Sequence, residues 1–155
     1  MRLTDILQPD CVIVPIKADG KEAAIYALAD QLSTSLGISD GDALKDAIWE
    51  REMTRTTGMG NGIAIPHGKS PGVQQLCMAA GIPENPLDFQ SIDGKPVNLI
   101  FLLASPVDQT GPHIQALAKV CRMLTNEAFR TNLQNSATPD EMYNLIAEYE
   151  ADAPA

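Results

Sequence analysis

"PVNLIFLLA" (96–104) is uncharged throughout, and from Leu99 to Ala104 it holds no polar side chain. An unbroken apolar run of this kind, without polar alternation, marks a strand covered on both faces. It is far too short to cross a bilayer, so it reads as the central strand of a sheet. Working outward from it, "CVIVPI" (11–16), "GIAIPH" (62–67) and "LCMAAGI" (76–82) read as further strands, and "PLDF" (86–89) as a short one. The turn signals "KSPG", "PENP" and "IDGKP" separate the later runs. The expectation is a mixed β-sheet of about five strands.

Helical patterns flank these strands. Asp19, with Glu22 three residues on, has the form of a helix start. Ile25, Leu28, Ala29, Leu32 and Leu36 then make an apolar stripe that Gly37 ends. Ser39 with Asp42 opens a second helix carrying Leu44, Ile48 and Trp49, to about Met53. Pro112 suits a first helical position, with Ile114, Leu117, Ala118, Cys121 and Leu124 forming the apolar face behind it. Thr125 is placed as the cap of a short helix holding Phe129 and Leu133. Thr138 to Glu141 forms a capping box ahead of Met142, Leu145, Ile146 and Tyr149. These elements imply one layered α/β domain over 1–155, helices on a mixed sheet, with its core at about 3–149 and a frayed tail at 150–155.

With 155 residues, 45% hydrophobic and 20% charged, the chain is of globular composition. A net charge of −9 argues against nucleic acid and anionic membranes as partners. No secretory leader pattern opens the chain, so a cytoplasmic location is expected, without membrane insertion. Cys11, Cys77 and Cys121 are widely spaced and show no zinc pattern, which reads as free thiols with no metal and no cofactor.

The chemistry concentrates around "GNGIAIPHGKS" (60–70). Of only two histidines, His67 follows a proline that stiffens the segment and cannot donate to a ladder, so the ring is placed at a strand end beside a loop. A neutral imidazole is a nucleophile near neutral pH. Before it, "TTGMGNG" supplies hydroxyls and backbone amides able to cradle an anion: Thr56, Thr57, Gly58, Gly60 and Asn61. Arg51 falls beside the apolar stripe of its helix, where a guanidinium can aim at phosphate oxygens or only cover apolar surface. Arg55, four residues on, is a weaker candidate. His113, just after Pro112 and near Asp108, lies at a helix start, where partial positive charge favours anions and a neutral ring. A structural histidine beside an ordinary glycine turn, a metal-dependent hydrolase using both histidines and Asp108, and a regulatory binding module in which His67 does not turn over are the rival readings. The second lacks any HxH or HxxxH spacing.

Taken together, "WERE" (49–52), "TTGMGNGIAIPHGK" (56–69), "PVDQTGPHIQALAKV" (106–120), "NEAFRTNLQ" (126–134) and "TPDEMYNLI" (138–146) resemble the enzyme IIA domain of the fructose/mannitol type. That family belongs to the bacterial phosphoenolpyruvate-dependent phosphotransferase system. The resemblance runs from Leu3 to Tyr149 and leans to the nitrogen-regulatory branch. It implies that His67 accepts a phosphoryl group, that His113 assists and that Arg51 lines the site. It also implies a histidine-containing phosphocarrier protein as donor, and an enzyme IIB or a regulated target protein as acceptor. Thr56 stands where the family usually has serine, and Arg55 where a small residue is common.

Overall fold

The structure is a computed structural model describing residues 1–152. Its elements are α1 (Leu3–Ile6), β1 (Leu7–Ile16), α2 (Lys21–Leu36), α3 (Gly41–Thr54), β2 (Gly58–Gly60), β3 (Ile63–Ala64), β4 (His67–Lys69), β5 (Cys77–Pro83), β6 (Leu99–Ser105), α4 (Thr110–Leu124), α5 (Glu127–Gln134) and α6 (Pro139–Asp152). They form a mixed α/β domain with a six-stranded sheet. β6 is central and buried at every residue, as its unbroken apolar run requires. It pairs antiparallel with β5, which pairs parallel with β1. On its other side β6 pairs parallel with β3 and then with β4, and β2 closes that edge. The helices pack in two groups, α2 with α3 and α1 with α4, α5 and α6.

The sheet has one strand more than expected, because two are gained and "PLDF" is lost. The glycine-rich turn itself contributes β2, and "GIAIPH" is two strands, β3 and β4, instead of one. The break falls at Ile65-Pro66, where proline has no N–H to give the ladder. Pro66 still accepts from Leu103 N at 2.9 Å, so the line along β6 resumes at once. His67 therefore opens β4; it does not close the preceding strand. "PLDF" makes only an isolated bridge, Leu87 to Val97.

Several helix starts also differ. α2 is capped by Gly20, not Asp19, and Leu36 is exposed at its end, while Gly37 closes it in the left-handed conformation (φ 65°). α3 is capped by Asp40, whose carboxylate accepts from Ala43 N, in place of Ser39. Asn126, not Thr125, caps α5 by accepting from Phe129 N, and Thr125 instead closes α4. Pro112 is the third residue of α4, two positions later than expected. Thr138 does accept from Glu141 N, but the Glu141 carboxylate reaches back to Ala137 N. Glu150 is not frayed: its carboxylate receives Leu3 N and Thr4 N, capping α1 from the other end of the chain. Of the expected frayed tail, α6 runs through Asp152, and residues 153–155 lie outside the described residues.

The most consequential difference is the inward face of α4. The buried residues are His113, Ala116, Val120, Met123 and Leu124. The expected face, apart from Leu124, turns outward: Ile114 is 59% exposed, with Leu117 and Cys121 half-buried beside it. A helix with apolar residues on two faces leaves periodicity undecided, and the sheet chose the face that carries His113.

Candidate functional site

His67 and His113 meet because of strand register. β4 runs parallel to β6 with His67 opposite Leu103 and Lys69 opposite Ser105. β6 ends at Ser105 and feeds the start of α4, so His113 returns over the carboxyl ends of these strands. That is where open α/β sheets place ligands. The ring centroids are 5.3 Å apart with planes at 65°.

Each ring has one nitrogen held. His67 Nδ1 lies 2.8 Å from the Ile65 carbonyl oxygen. A carbonyl only accepts, so Nδ1 carries the proton and Nε2 keeps its lone pair. His113 Nδ1 lies 2.7 Å from Oγ of Ser105, a fully buried hydroxyl. When Ser105 donates, His113 presents an Nε2–H donor.

Both rings are held neutral. Burial pushes the His67 pKa below the usual histidine range, against the opposing pull of the Ile65 carbonyl, and the Arg51 charge adds to the lowering while Glu52 opposes it. Burial, then the charges of His67 and Lys69, push His113 down to about 4.

Two clefts open on His67, one of them also on His113. One of about 600 Å³ is lined by His67, His113, Arg51, Lys69, Thr110 and Ile114, among others. The second, of about 290 Å³, is lined by Arg51, Arg55, Thr56, Thr57, Gly58 and His67, with Met59, Ile92, Leu117 and Cys121. Arg51 and His67 are common to both. One of the Arg51 nitrogens donates to the Arg55 carbonyl at 2.9 Å.

The glycine-rich turn is placed differently. Thr56 Oγ1 donates to the Phe89 carbonyl and accepts from Gly58 N. The Thr57 hydroxyl donates to Glu52. Both threonines border the cleft, yet their hydroxyls donate to other parts of the fold, Phe89 and Glu52. Gly60 and Asn61 line neither cleft. Asn61 N donates instead to the Asp93 carboxylate at 3.1 Å, so the anion this turn holds is a side chain of its own protein. Asp108 lines neither cleft.

Three contributors were not singled out from sequence. Lys69 donates to Thr110 Oγ1 at 2.8 Å on the cleft wall. Ser105 Oγ holds Nδ1 of His113 at 2.7 Å. Glu52 is a buried carboxylate behind Thr57. Lys69 and Glu52 sit inside quoted motifs, and their role was hidden because adjacent residues on a helix or strand face different ways.

The chain as a whole matches a known family. Residues 5–149 match the family described as phosphoenolpyruvate-dependent sugar phosphotransferase system, EIIA 2. The chain belongs to this family. As an EIIA type-2 protein it is 32% identical over 147 residues to the nitrogen regulatory protein of Bradyrhizobium diazoefficiens, with 95% of each chain covered. It is 30% identical over 150 residues to the fructose-specific EIIABC component of Bacillus subtilis, covering 97% of this chain but 24% of that protein. Its fold superimposes on the crystal structure of nitrogen regulatory protein IIA-Ntr from Neisseria meningitidis with a TM-score of 0.85, at 28% identity, covering 93% and 98% of the two chains. The EIIA fold accounts for both the mixed sheet and the helices around it, and the family is one of phosphoryl-transfer components.

Proposed function

We propose that the protein is a phosphohistidine carrier that accepts a phosphoryl group on Nε2 of His67 from a histidine-containing phosphocarrier protein. The observation that carries this reading is the Ile65 carbonyl fixing the proton on Nδ1, which leaves Nε2 as the free nucleophile on a cleft lined by Arg51 and Lys69. In the transfer, the Nε2 lone pair forms the new N–P bond. The donor's N–P bond breaks, and its electron pair stays on the donor imidazole. Positive charge develops on the His67 ring and is carried at Nδ1–H toward the Ile65 oxygen. Arg51, Lys69 and Nε2–H of His113 stabilise the phosphoryl oxygens, as positioning and charge do most of the work in such transfers. No metal or cofactor takes part, and the protein acts in the cytoplasm.

The apolar rim of Ile114, Ile92 and Met59, all exposed beside the two clefts, supports docking of a partner protein over His67. The nitrogen regulatory relatives support a regulatory output, with the phosphorylation state read by a target protein. The fructose-specific relative supports a second reading, onward transfer to an enzyme IIB. Incubation with phosphoenolpyruvate, enzyme I and the carrier protein tests the proposal. An acid-labile, base-stable label on the wild type and none on His67→Ala is the expected pair of results; equal labelling of the two removes His67 as acceptor.

A further inference from the structure

Glu52 is the one carboxylate or ammonium side chain among the described residues whose residue is buried, with none of its side chain exposed. Removing a carboxylate from water is expensive, and a buried ion pair is weak evidence of stabilisation, since apolar residues of similar volume often serve as well. Its partners give it another purpose. Thr57 donates to it twice, through its backbone N–H at 3.0 Å and through its hydroxyl. Lys21 Nζ donates to it at 3.2 Å. Thr57 is thereby held in one orientation, and its carbonyl accepts from Ile65 N at 3.2 Å. The carbonyl of that same Ile65 holds Nδ1–H of His67.

We propose that Glu52 and Lys21 are positioning residues for His67, acting through Thr57 and Ile65 to hold the imidazole with Nε2 toward the cleft. The proposal rests on the phosphoryl-acceptor reading of His67 for its purpose, though not for its geometry. Lys21 is suited to anchor the chain of contacts. Its three N–H donors go to Glu52, to the Phe89 carbonyl at 3.4 Å and to Gln90 Oε1 at 2.6 Å. Phe89 O also receives the Thr56 hydroxyl, so one ammonium ties the start of α2, the end of α3 and the two segments flanking the cleft. The negative charge of Glu52 also favours a positively charged ring at His67, opposite to Arg51. During transfer the ring becomes a phosphoimidazolium, and Glu52 stabilises that state as Arg51 stabilises the phosphoryl oxygens. Leu or Met at position 52 would fill similar space but would leave Lys21 and both Thr57 donors without this partner.

The test uses Glu52→Gln and Lys21→Met in the full chain, with two readouts. The first is the tautomer of His67 by nitrogen-15 NMR, which needs no phosphate. The wild type is expected to show a protonated Nδ1 and a bare Nε2, and both variants a mixture with the two nitrogen signals drawn together. The second is transfer from the phosphorylated carrier, where kcat is expected to fall at least about tenfold at unchanged KM, the scale of effect that follows from misplacing a reacting group. If Glu52→Gln does not fold, Thr57→Val and Thr57→Ser replace it: valine lowers kcat and mixes the tautomers, and serine, which keeps the hydroxyl, does neither. Wild-type tautomer and kcat in a folded Glu52→Gln or in Thr57→Val overturn the proposal. Failure of wild-type His67 to take phosphate with the tautomer shift intact would instead remove the carrier reading and leave the positioning.

Discussion

Burial shifts His67 and His113 toward the neutral form, and each has a different neighbour at Nδ1. The Ile65 carbonyl leaves His67 a lone pair, and the Ser105 hydroxyl lets His113 donate. A pH signature follows. His113 resists protonation down to about 4, against about 6.5 for an unfolded histidine. Above that range both states are neutral and the residue contributes nothing to pH dependence. Within it the unfolded chain binds more protons, so stability falls as pH drops and the loss is complete below about 4. Urea unfolding at about pH 7 and about pH 5 should show a loss of about 2 kcal/mol from this residue, absent in His113→Gln. His67 adds a loss of the same sign that the variant retains. Arg51→Ala is expected to slow phosphoryl transfer about a hundredfold, as loss of an oxyanion donor does. Only its bond to the Arg55 carbonyl is lost from the folded state, so stability should fall by about 1 kcal/mol; a larger stability loss with an unchanged rate would make Arg51 structural. Both histidines and Arg51 were legible because their residue types are rare and their settings odd. Glu52 and Ser105 were not, because nothing in a sequence separates a buried carboxylate or hydroxyl from the many exposed ones.

Among the elements, β4 decides the site's geometry although it is three residues long. α3 rests directly on it. A Cβ at Gly68 would lie 2.9 Å from Ile48 Cγ1, 3.0 Å from Ile48 N and 3.1 Å from its Cα, and backbone cannot move aside. Gly68 therefore lets the helix bearing Arg51 approach the strand bearing His67. Gly68→Ala should lower stability by about 1–3 kcal/mol, the usual range for overpacking, and slow transfer as well. A variant with unaltered melting and rate would show that the close approach is dispensable. The central strand was readable from "LIFLLA" alone, since no exposed or one-sided strand has that pattern. The split of "GIAIPH" was not, because Pro66 can end a strand or interrupt it, and pairing with β6 chose the second. The face of α4 was misread for the same kind of reason: two apolar faces compete, and only packing against the sheet selects one.

For the whole molecule, the contrast lies between an acidic protein of net charge −9 and two clefts lined by Arg51, Arg55 and Lys69, with Glu50 beside them. A partner with an apolar centre and an acidic rim fits these clefts. Ile114→Asp should raise KM for the phosphorylated carrier several-fold with melting unchanged, because the side chain is 59% exposed and supports no core. The same transfer should slow as salt rises above about 0.1 M, where exposed charges are screened beyond about 10 Å. Mixed-sheet architecture and the odd setting of His67 are thus visible in the sequence, whereas the exposure of Ile114 is visible only once α4 is seen to turn its second apolar face outward. The claim on which the rest depends is the identity of the attacking nitrogen. Phosphorus-31 and nitrogen-15 NMR of the phosphorylated, nitrogen-15-labelled protein reads it directly. Phosphorus coupled to Nε2 of His67, with Nδ1 still protonated, is the expected result; coupling to Nδ1, or to either nitrogen of His113, would contradict it.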